Sequence, residues 1–163
     1  MIRKVDTKTA VELFKRSYGD STNRSLLIDD GSPSGWKESD IFPKIGDCEL
    51  LIGDIQAPAN LKSFLSLVRT YCLKKDETFY FLQEESVSGS EAIHVECDLI
   101  SLDETIKFVN DAPNLNAVLF DASFTWALKF HHELFGYFSG EEEFCNLLRN
   151  TELANLVQEP VWL

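Results

Sequence analysis

The chain has 163 residues, of which 44% are hydrophobic and 26% are charged, and its formal net charge is −12. These proportions are typical of a globular protein and exclude global disorder, and a chain of this length is expected to form one domain over residues 1–163. The charge argues against direct binding to DNA or RNA, because an acidic surface repels the phosphate backbone.

The negative charge is concentrated in the second half of the chain. Residues 1–75 hold 12 Lys or Arg against 10 Asp or Glu, whereas residues 76–163 hold 3 against 17. Such an asymmetry repels anionic lipid and speeds the encounter with a cationic partner. We therefore expect a basic protein partner and no membrane association. The alternative, in which the acids are spread over several faces and serve only solubility, is left open by the sequence.

No segment approaches the roughly 20 consecutive apolar residues that cross a bilayer. The first six residues carry charges with no apolar run after them, so they do not resemble a secretory signal, and the expected location is cytoplasmic. The cysteines Cys48, Cys72, Cys97 and Cys145 are widely spaced and form no C-x-x-C pair. Because disulfides are rare in the cytoplasm, we expect four buried, reduced thiols.

Hydrophobic spacing predicts both helices and strands in the first half of the chain. An apolar stripe that ends at a glycine predicts a helix over residues 6–18, and short apolar runs predict strands over 25–29 and 48–52. A short helix is expected over 39–42, directly before a proline. The clearest amphipathic helix of the chain is predicted to begin at Pro58, with apolar residues at helical spacing up to Cys72 and with Lys74 and Lys75 suited to its C-terminal end.

A Gly/Ser/Pro segment at residues 31–35 predicts a loop between two of these elements. Trp36 follows the loop directly and is either a core residue or an exposed partner-binding anchor, since Trp is enriched at binding hot spots. Asp29 and Asp30 precede the loop but lack the regular spacing of a calcium-binding loop. A turn-capping role is therefore the expectation for these two acids.

Strands dominate the second half of the chain. An aromatic strand is predicted over residues 78–83, and its returning partner over 92–100 alternates polar and apolar residues, so that one face is acidic. A strand over 116–120, a strongly alternating strand over 124–131 and a hairpin partner over 134–138 follow.

Two more helices are predicted from capping boxes at residues 101–104 and 139–142. The first box opens a helix that extends to about residue 109, and the second opens a helix over 141–149. The tail at 153–163 is expected to pack on the surface. Since the late strands are joined by short links, the predicted fold class is α+β, with a largely antiparallel central sheet and helices mostly on one face.

No motif in the sequence completes a catalytic or metal site, so we predict no catalytic residue, no metal and no cofactor. The chain has no G-x-S-x-G elbow, no phosphate-binding glycine loop and no Cys/His cluster at zinc spacing. His131, His132 and Glu133 are adjacent, but neighbouring strand residues point to opposite faces and cannot easily bind one ion. With His94 they support only an alternative hypothesis, a small enzyme with a dispersed His/Glu site.

Residues 118–148 read VLFDASFTWALKFHHELFGYFSGEEEFCNLL. A strand with a central Trp, a His-Glu at its end, an aromatic-Gly strand and an acidic helix together resemble the end of many small bacterial immunity proteins. These proteins are the cytosolic antidotes of polymorphic and contact-dependent growth-inhibition toxins. The resemblance covers about a fifth of the chain, and no functional residue is carried over with it.

The resemblance implies a protein that binds a toxin domain and blocks it without chemistry of its own. Many such toxins are basic nucleases, so an acidic antidote would cover their nucleic-acid-binding cleft. Another acidic adaptor, a secretion chaperone or a DNA mimic remains an alternative. The candidate partner-binding residues are Glu84, Glu85, Glu91, Glu96, Asp98, Asp103, Glu104, Glu141, Glu142, Glu143 and Trp36.

Overall fold

The computed structural model describes residues 2–18, 23–28, 33, 35–72, 78–84, 92–111, 116–131 and 135–163. The helices of this part are α1 (Thr7–Tyr18), α2 (Pro58–Cys72), α3 (Leu102–Asp111) and α4 (Glu142–Arg149), with a short 3-10 helix at Ala154–Leu156. The strands are β1 (Arg3–Lys4), β2 (Asn23–Ile28), β3 (Trp36–Ile41), β4 (Cys48–Ile52), β5 (Thr78–Gln83), β6 (His94–Asp98), β7 (Ala117–Asp121), β8 (Trp126–Phe130), β9 (Gly136–Gly140), β10 (Val157–Gln158) and β11 (Val161–Trp162).

Two antiparallel sheets organise these strands. The large sheet has the order β1-β6-β5-β7-β8-β9-β4-β10, and the small sheet has the order β11-β2-β3. Strands of only two residues, β1 and β10, form the two edges of the large sheet, which leaves little free edge for pairing with other chains. The predicted α+β class with a central antiparallel sheet is confirmed.

Three helices cover one face of the large sheet, which we call the helix face. Alternate strand residues such as Leu119, Leu128 and Phe138 point to this face, where they pack in one core with Phe64 of α2 and Ile106 of α3. Helix α4 joins the same core. Burying each such side chain contributes about 1.5–3 kcal/mol. The prediction that most helices lie on one face is confirmed.

The opposite face of the large sheet is divided between α1 and the small sheet. Helix α1 buries Ala10 and Leu13 there, on strands β5, β7 and β8. The small sheet packs over the neighbouring strands through a second cluster that includes Leu26, Phe42 and Tyr137. The strands that carry these clusters are therefore buried on both sides, which explains why β7, β8 and β9 are buried at every position.

The predicted helix at residues 39–42 is wrong, because most of this segment belongs to β3. Exposure alternates along this strand: Lys37 and Ser39 are exposed, whereas Glu38 and Asp40 are half-buried. The strand pairs with β2 along its whole length, and this pairing satisfies its backbone hydrogen bonds. The alternation of exposed and half-buried side chains is therefore that of a strand, and the weak helical pattern of the sequence does not determine the structure here.

The predicted capping box at residues 139–142 is also wrong. Ser139 lies inside β9, where its buried hydroxyl donates to the carbonyl of Ile45 and accepts from the Ile45 backbone N–H, each at 2.7 Å. Glu141 occupies the N-cap position of α4 and makes no side-chain capping bond. Strand β9 ends at Gly140, two residues beyond the predicted end at residue 138.

The expectation of four reduced thiols is corrected at two positions, since Cys48 and Cys145 form a disulfide. Cys48 begins β4 and Cys145 lies on the inward side of α4, so both side chains point into the core of the helix face. The two residues are 97 positions apart, which hides the pairing from the sequence. Cys97 is a buried thiol whose pKa burial raises to about 12. The side chain of Cys72 lies outside the described part.

Candidate acidic surface and groove

The described acids between residues 84 and 104 do not form one face, because Glu96 and Asp98 lie on the sheet in β6 whereas Asp103 and Glu104 lie on α3. In the register of β5 and β6, Thr78 lies opposite Asp98, and Leu82 lies opposite His94. Glu84 follows β5 at the far end of the strand. At about 3.3 Å per residue, Glu84 and Asp98 are separated by about 20 Å along the sheet.

Glu84 is the counter-ion of a buried lysine. The ammonium of Lys129 lies 3.3 Å from Glu84 and 2.7 Å from Asp40, and only 1% of the lysine side chain is exposed. Lys129 also donates to the carbonyl of Ile41 at 2.8 Å, and the hydroxyl of Tyr18 donates to Glu84. Glu84 thereby connects the end of α1 to the large sheet, and Lys129 connects the small sheet to it through Asp40 and Ile41.

Two further predicted acids interact within the fold. Glu96 forms an ion pair with Arg3 across the β1–β6 edge. Asp98 accepts a hydrogen bond of 2.6 Å from the backbone N–H of Ile100, which shapes the turn into α3. Glu85 and Glu91 lie outside the described residues.

Asp103 and Glu104 lie in the first turn of α3, and both are exposed. Lys62 of α2 lies 2.8 Å from Asp103, and this hydrogen bond lowers the pKa of the Asp103 carboxyl. Both side chains of that pair remain largely in water, so the pair is weak. Glu104 makes no ion pair with a described residue, and its carboxylate is open to solvent.

The second predicted cluster, Glu141 to Glu143, surrounds the start of α4, and its three residues are exposed. The hydroxyl of Tyr71 at the end of α2 donates to Glu141, and Arg149 lies 3.2 Å from Glu142. Glu143 makes no ion pair with any residue that the structure describes.

Helix α2 lies between the two clusters. Its side chains pack against α3 on one side, while the rings of Phe64 and Tyr71 contact Phe144 of α4 on the other. We call α3, α2 and α4 together the helical layer. The structure thus places the exposed acids of the α3 start and the α4 start on either side of α2, near Lys62 and near Tyr71, although Glu104 and Glu141 are 37 positions apart in the sequence.

Trp36 is half-buried in β3, at the interface between the two sheets. Its ring lies 6.0 Å from that of His131 and 6.5 Å from that of Phe135. Most of the ring therefore serves packing, and a partner would reach only the part that remains exposed.

The histidines that suggested a dispersed catalytic site lie apart. His94 is on β6 and His131 directly follows β8, and three strand spacings separate these strands, or about 14 Å. His94 interacts with the carbonyl of Gln83 at 3.2 Å, and His131 lies 3.1 Å from Glu38 with 1% of its side chain exposed. His132 and Glu133 lie outside the described residues.

A groove of about 360 Å³ runs between α2 and the start of α3 in the helical layer. It is lined by Lys62, Ser66 and Arg69 of α2 and by residues 100–104. Sequence reasoning missed the groove. The spacing of Lys62, Ser66 and Arg69 shows that they share the polar side of a helix. The groove forms only because the start of α3 packs beside this side of α2.

Within the described part of the chain, no group of three or more His, Cys, Asp and Glu side chains could hold a metal ion. None of the helices in that part combines the length and apolar character required to span a membrane. Comparison of the chain with protein-family models, with curated proteins and with solved structures gives no match.

Proposed function

We propose that the protein binds a basic toxin domain and blocks it, as an immunity protein, through acids on the outer side of the helical layer. The observation that carries the proposal is the position of two exposed acidic clusters, Asp103 with Glu104 and Glu141 to Glu143, on helices that flank α2. The buried sides of these helices are anchored in one core, so the acids are held in place before a partner arrives. Such preorganisation favours tight binding.

The proposed surface is narrower than the sequence suggested. Glu84, Glu96 and Asp98 each interact with another residue of the fold, so they are weaker candidates for partner contact. Glu104 and Glu143 are the clearest candidates for partner contact, because both are exposed and form no ion pair within the described residues.

Blocking by this surface requires no chemistry. Carboxylates on the helical layer compete with nucleic-acid phosphates for the basic cleft of a nuclease, and the net charge of −12 speeds the encounter. The helices α2, α3 and α4 have 15, 10 and 8 residues, which at about 1.5 Å per residue and about 10 Å width present roughly 500 Å². This area is of the same order as the roughly 800 Å² per partner of a stable interface.

The test uses a toxin domain encoded next to this gene, with growth rescue in cells and calorimetric binding as the two measurements. We expect rescue, and an affinity that falls between about 0.1 M and about 1 M salt as the screening length shrinks from about 10 Å to about 3 Å. Glu104→Lys and Glu143→Lys should weaken binding. Glu12→Lys on the exposed side of α1 changes the charge equally and serves as the matched control.

Two results would reject the proposal. The first is that no neighbouring basic domain binds the wild-type protein. The second is that the affinity does not change with salt concentration and that Glu104→Lys and Glu143→Lys bind the toxin domain as tightly as Glu12→Lys does.

A further inference from the structure

The disulfide between Cys48 and Cys145 joins α4 to strand β4 of the large sheet. We propose that this bond is a reversible redox switch, which a low-molecular-weight thiol such as glutathione opens in the folded protein. Two glutathione molecules supply two electrons and two protons, the S–S bond becomes two cysteine thiols, and glutathione disulfide is the product. This reaction is separate from the blocking of a toxin and needs no partner protein.

Helix α4 depends on its tertiary contacts. It has eight residues, and a helix of that length is not stable by itself in water. Glu141 at its N-cap makes no side-chain capping bond, so local capping adds little. Its buried residues are Phe144, Cys145 and Leu148, and of these three Cys145 is covalently bound to a strand. Reduction removes that attachment, so α4 should open locally more often.

A guanidinium lies beside the disulfide. Nη2 of Arg149 lies 4.0 Å from Sγ of Cys48 and donates to Glu159 at 2.8 Å. The Arg149 side chain is 33% exposed, so the disulfide lies close to the surface although Cys48 itself is buried. A cation next to a sulfur stabilises the thiolate, which leaves faster in thiol–disulfide exchange and favours the reduced state. Arg149 therefore makes this disulfide easier to reduce.

The remaining cysteine with a described side chain does not compete in this exchange. Cys97 is a free thiol on β6, and burial raises its pKa to about 12. It is therefore not ionised at neutral pH, and a thiol that is not ionised is a poor nucleophile. Among the cysteines whose side chains are described, the exchange is thus confined to Cys48 and Cys145.

The switch acts on one of the two acidic clusters. Glu141 to Glu143 surround the start of α4, so a helix that opens no longer holds their carboxylates in fixed positions. Asp103 and Glu104 lie on α3, which carries neither cysteine of the disulfide, and should stay in place. If toxin binding uses both clusters, reduction weakens it, and this consequence alone rests on the proposed function.

The first experiment equilibrates the full chain with defined ratios of glutathione to glutathione disulfide at about pH 8.5, where an ordinary thiol is about half ionised. Alkylation and intact-mass measurement give the reduced fraction. We expect one reversible transition in which two additional thiols appear together while the near-UV circular dichroism is retained. Arg149→Gln should require a ratio about two- to fivefold more reducing, as expected for the loss of one exposed charge interaction. Arg69→Gln removes an equal charge from the exposed side of α2 and should not change the ratio.

The second experiment compares amide hydrogen exchange in the oxidised and reduced protein. Reduction should accelerate exchange at residues 142–149 at least about tenfold more than at residues 102–111 of α3. The double variant Cys48→Ala, Cys145→Ala should exchange like the reduced protein at every glutathione ratio. Glu159→Gln breaks an ion pair of Arg149 but keeps the guanidinium charge, so it should not make the disulfide harder to reduce.

Three results would overturn the switch. The first is a disulfide that glutathione reduces only at urea concentrations that unfold the protein. The second is equal acceleration of exchange in α3 and α4, because the bond would then stabilise the whole fold. The third is that Arg149→Gln and Arg69→Gln are reduced at the same ratio. Neither experiment contains a toxin domain, so the switch can fail while a toxin domain still binds, and it can hold while the proposed function fails.

Discussion

The ammonium of Lys129 lies 2.7 Å from the carboxylate of Asp40, on strands that belong to different sheets and that are 89 residues apart. Two positions further along, His131 lies 3.1 Å from Glu38, so two successive contacts connect β3 to the β8 region. Both acids point inward from β3 because strand side chains alternate. The small sheet is therefore held on the large sheet by charged as well as apolar contacts.

Removal of the Lys129 charge should strongly destabilise the protein. Lys129→Met leaves Asp40 and Glu84 without their buried partner, and breaking such a pair costs about 3–5 kcal/mol. The measurement is the free energy of unfolding in urea. Lys62→Met is the matched control, because the Lys62–Asp103 pair lies in water, and it should leave stability unchanged. Equal effects of the two substitutions would contradict the buried role of Lys129.

Reduction of the disulfide should lower stability. The bond between Cys48 and Cys145 closes a loop of 97 residues, and the chain-entropy model gives about 4–5 kcal/mol for a loop of that size. Urea unfolding with and without reductant measures the loss, and peptide mapping should recover the two cysteines in one cross-linked fragment. In the double variant Cys48→Ala, Cys145→Ala, reductant should no longer change the urea concentration at the unfolding midpoint. Alkylation of both cysteines in the native, unreduced protein would contradict the pairing.

Glu49 should make stability sensitive to acid. Burial alone would raise its pKa, but hydrogen bonds from Tyr137 and Arg24 outweigh burial, and the pKa is lowered. The stability that Glu49 contributes to the folded protein is therefore complete above pH 4.5, its ordinary pKa. This stability is lost as the pH falls through the lower pKa of the folded protein. Unfolding midpoints between about pH 7 and pH 3 should fall less steeply in Glu49→Gln than in the wild-type protein.

The control for this pH series is Glu12→Gln, which removes an equal charge from an exposed position on α1. This variant should retain the acid dependence of the wild-type protein. If Glu49→Gln and the wild-type protein lose stability in parallel, the interactions of Glu49 with Tyr137 and Arg24 do not determine the acid dependence.

Gly46 should not tolerate a side chain. Its φ is +72°, and a Cβ atom at this position would lie 2.4 Å from the carbonyl oxygen of Gly140. Gly46→Ala should therefore cost at least about 2 kcal/mol of unfolding free energy, from backbone strain and the clash together. Gly53→Ala is the control: the nearest atom to its Cβ would be 3.7 Å away, so it should be neutral or slightly stabilising. Thermal unfolding of both variants distinguishes these outcomes.

Much of the secondary structure follows from local patterns. Residues 48–52 and 78–83 were predicted with the bounds that the structure shows, because their apolar pattern agrees with their burial. The helix predicted from residue 58 begins where α2 begins, and its predicted C-terminal residues Lys74 and Lys75 lie outside the described residues. The predicted helix at 39–42 is wrong because that stretch has only four residues, and the pairing of residues 39–41 with β2 determines its conformation.

The sequence by itself determined the acidic character of the second half, the α+β class and the alternation that builds the large sheet. Only the tertiary structure decided which acids are free: it pairs Glu84 with Lys129 and leaves Glu104 exposed. It also joined Cys48 to Cys145 and placed α2 between the two acidic helices. The physical reason is that charge and periodicity are local properties, whereas ion pairs, disulfides and grooves depend on how distant segments pack together.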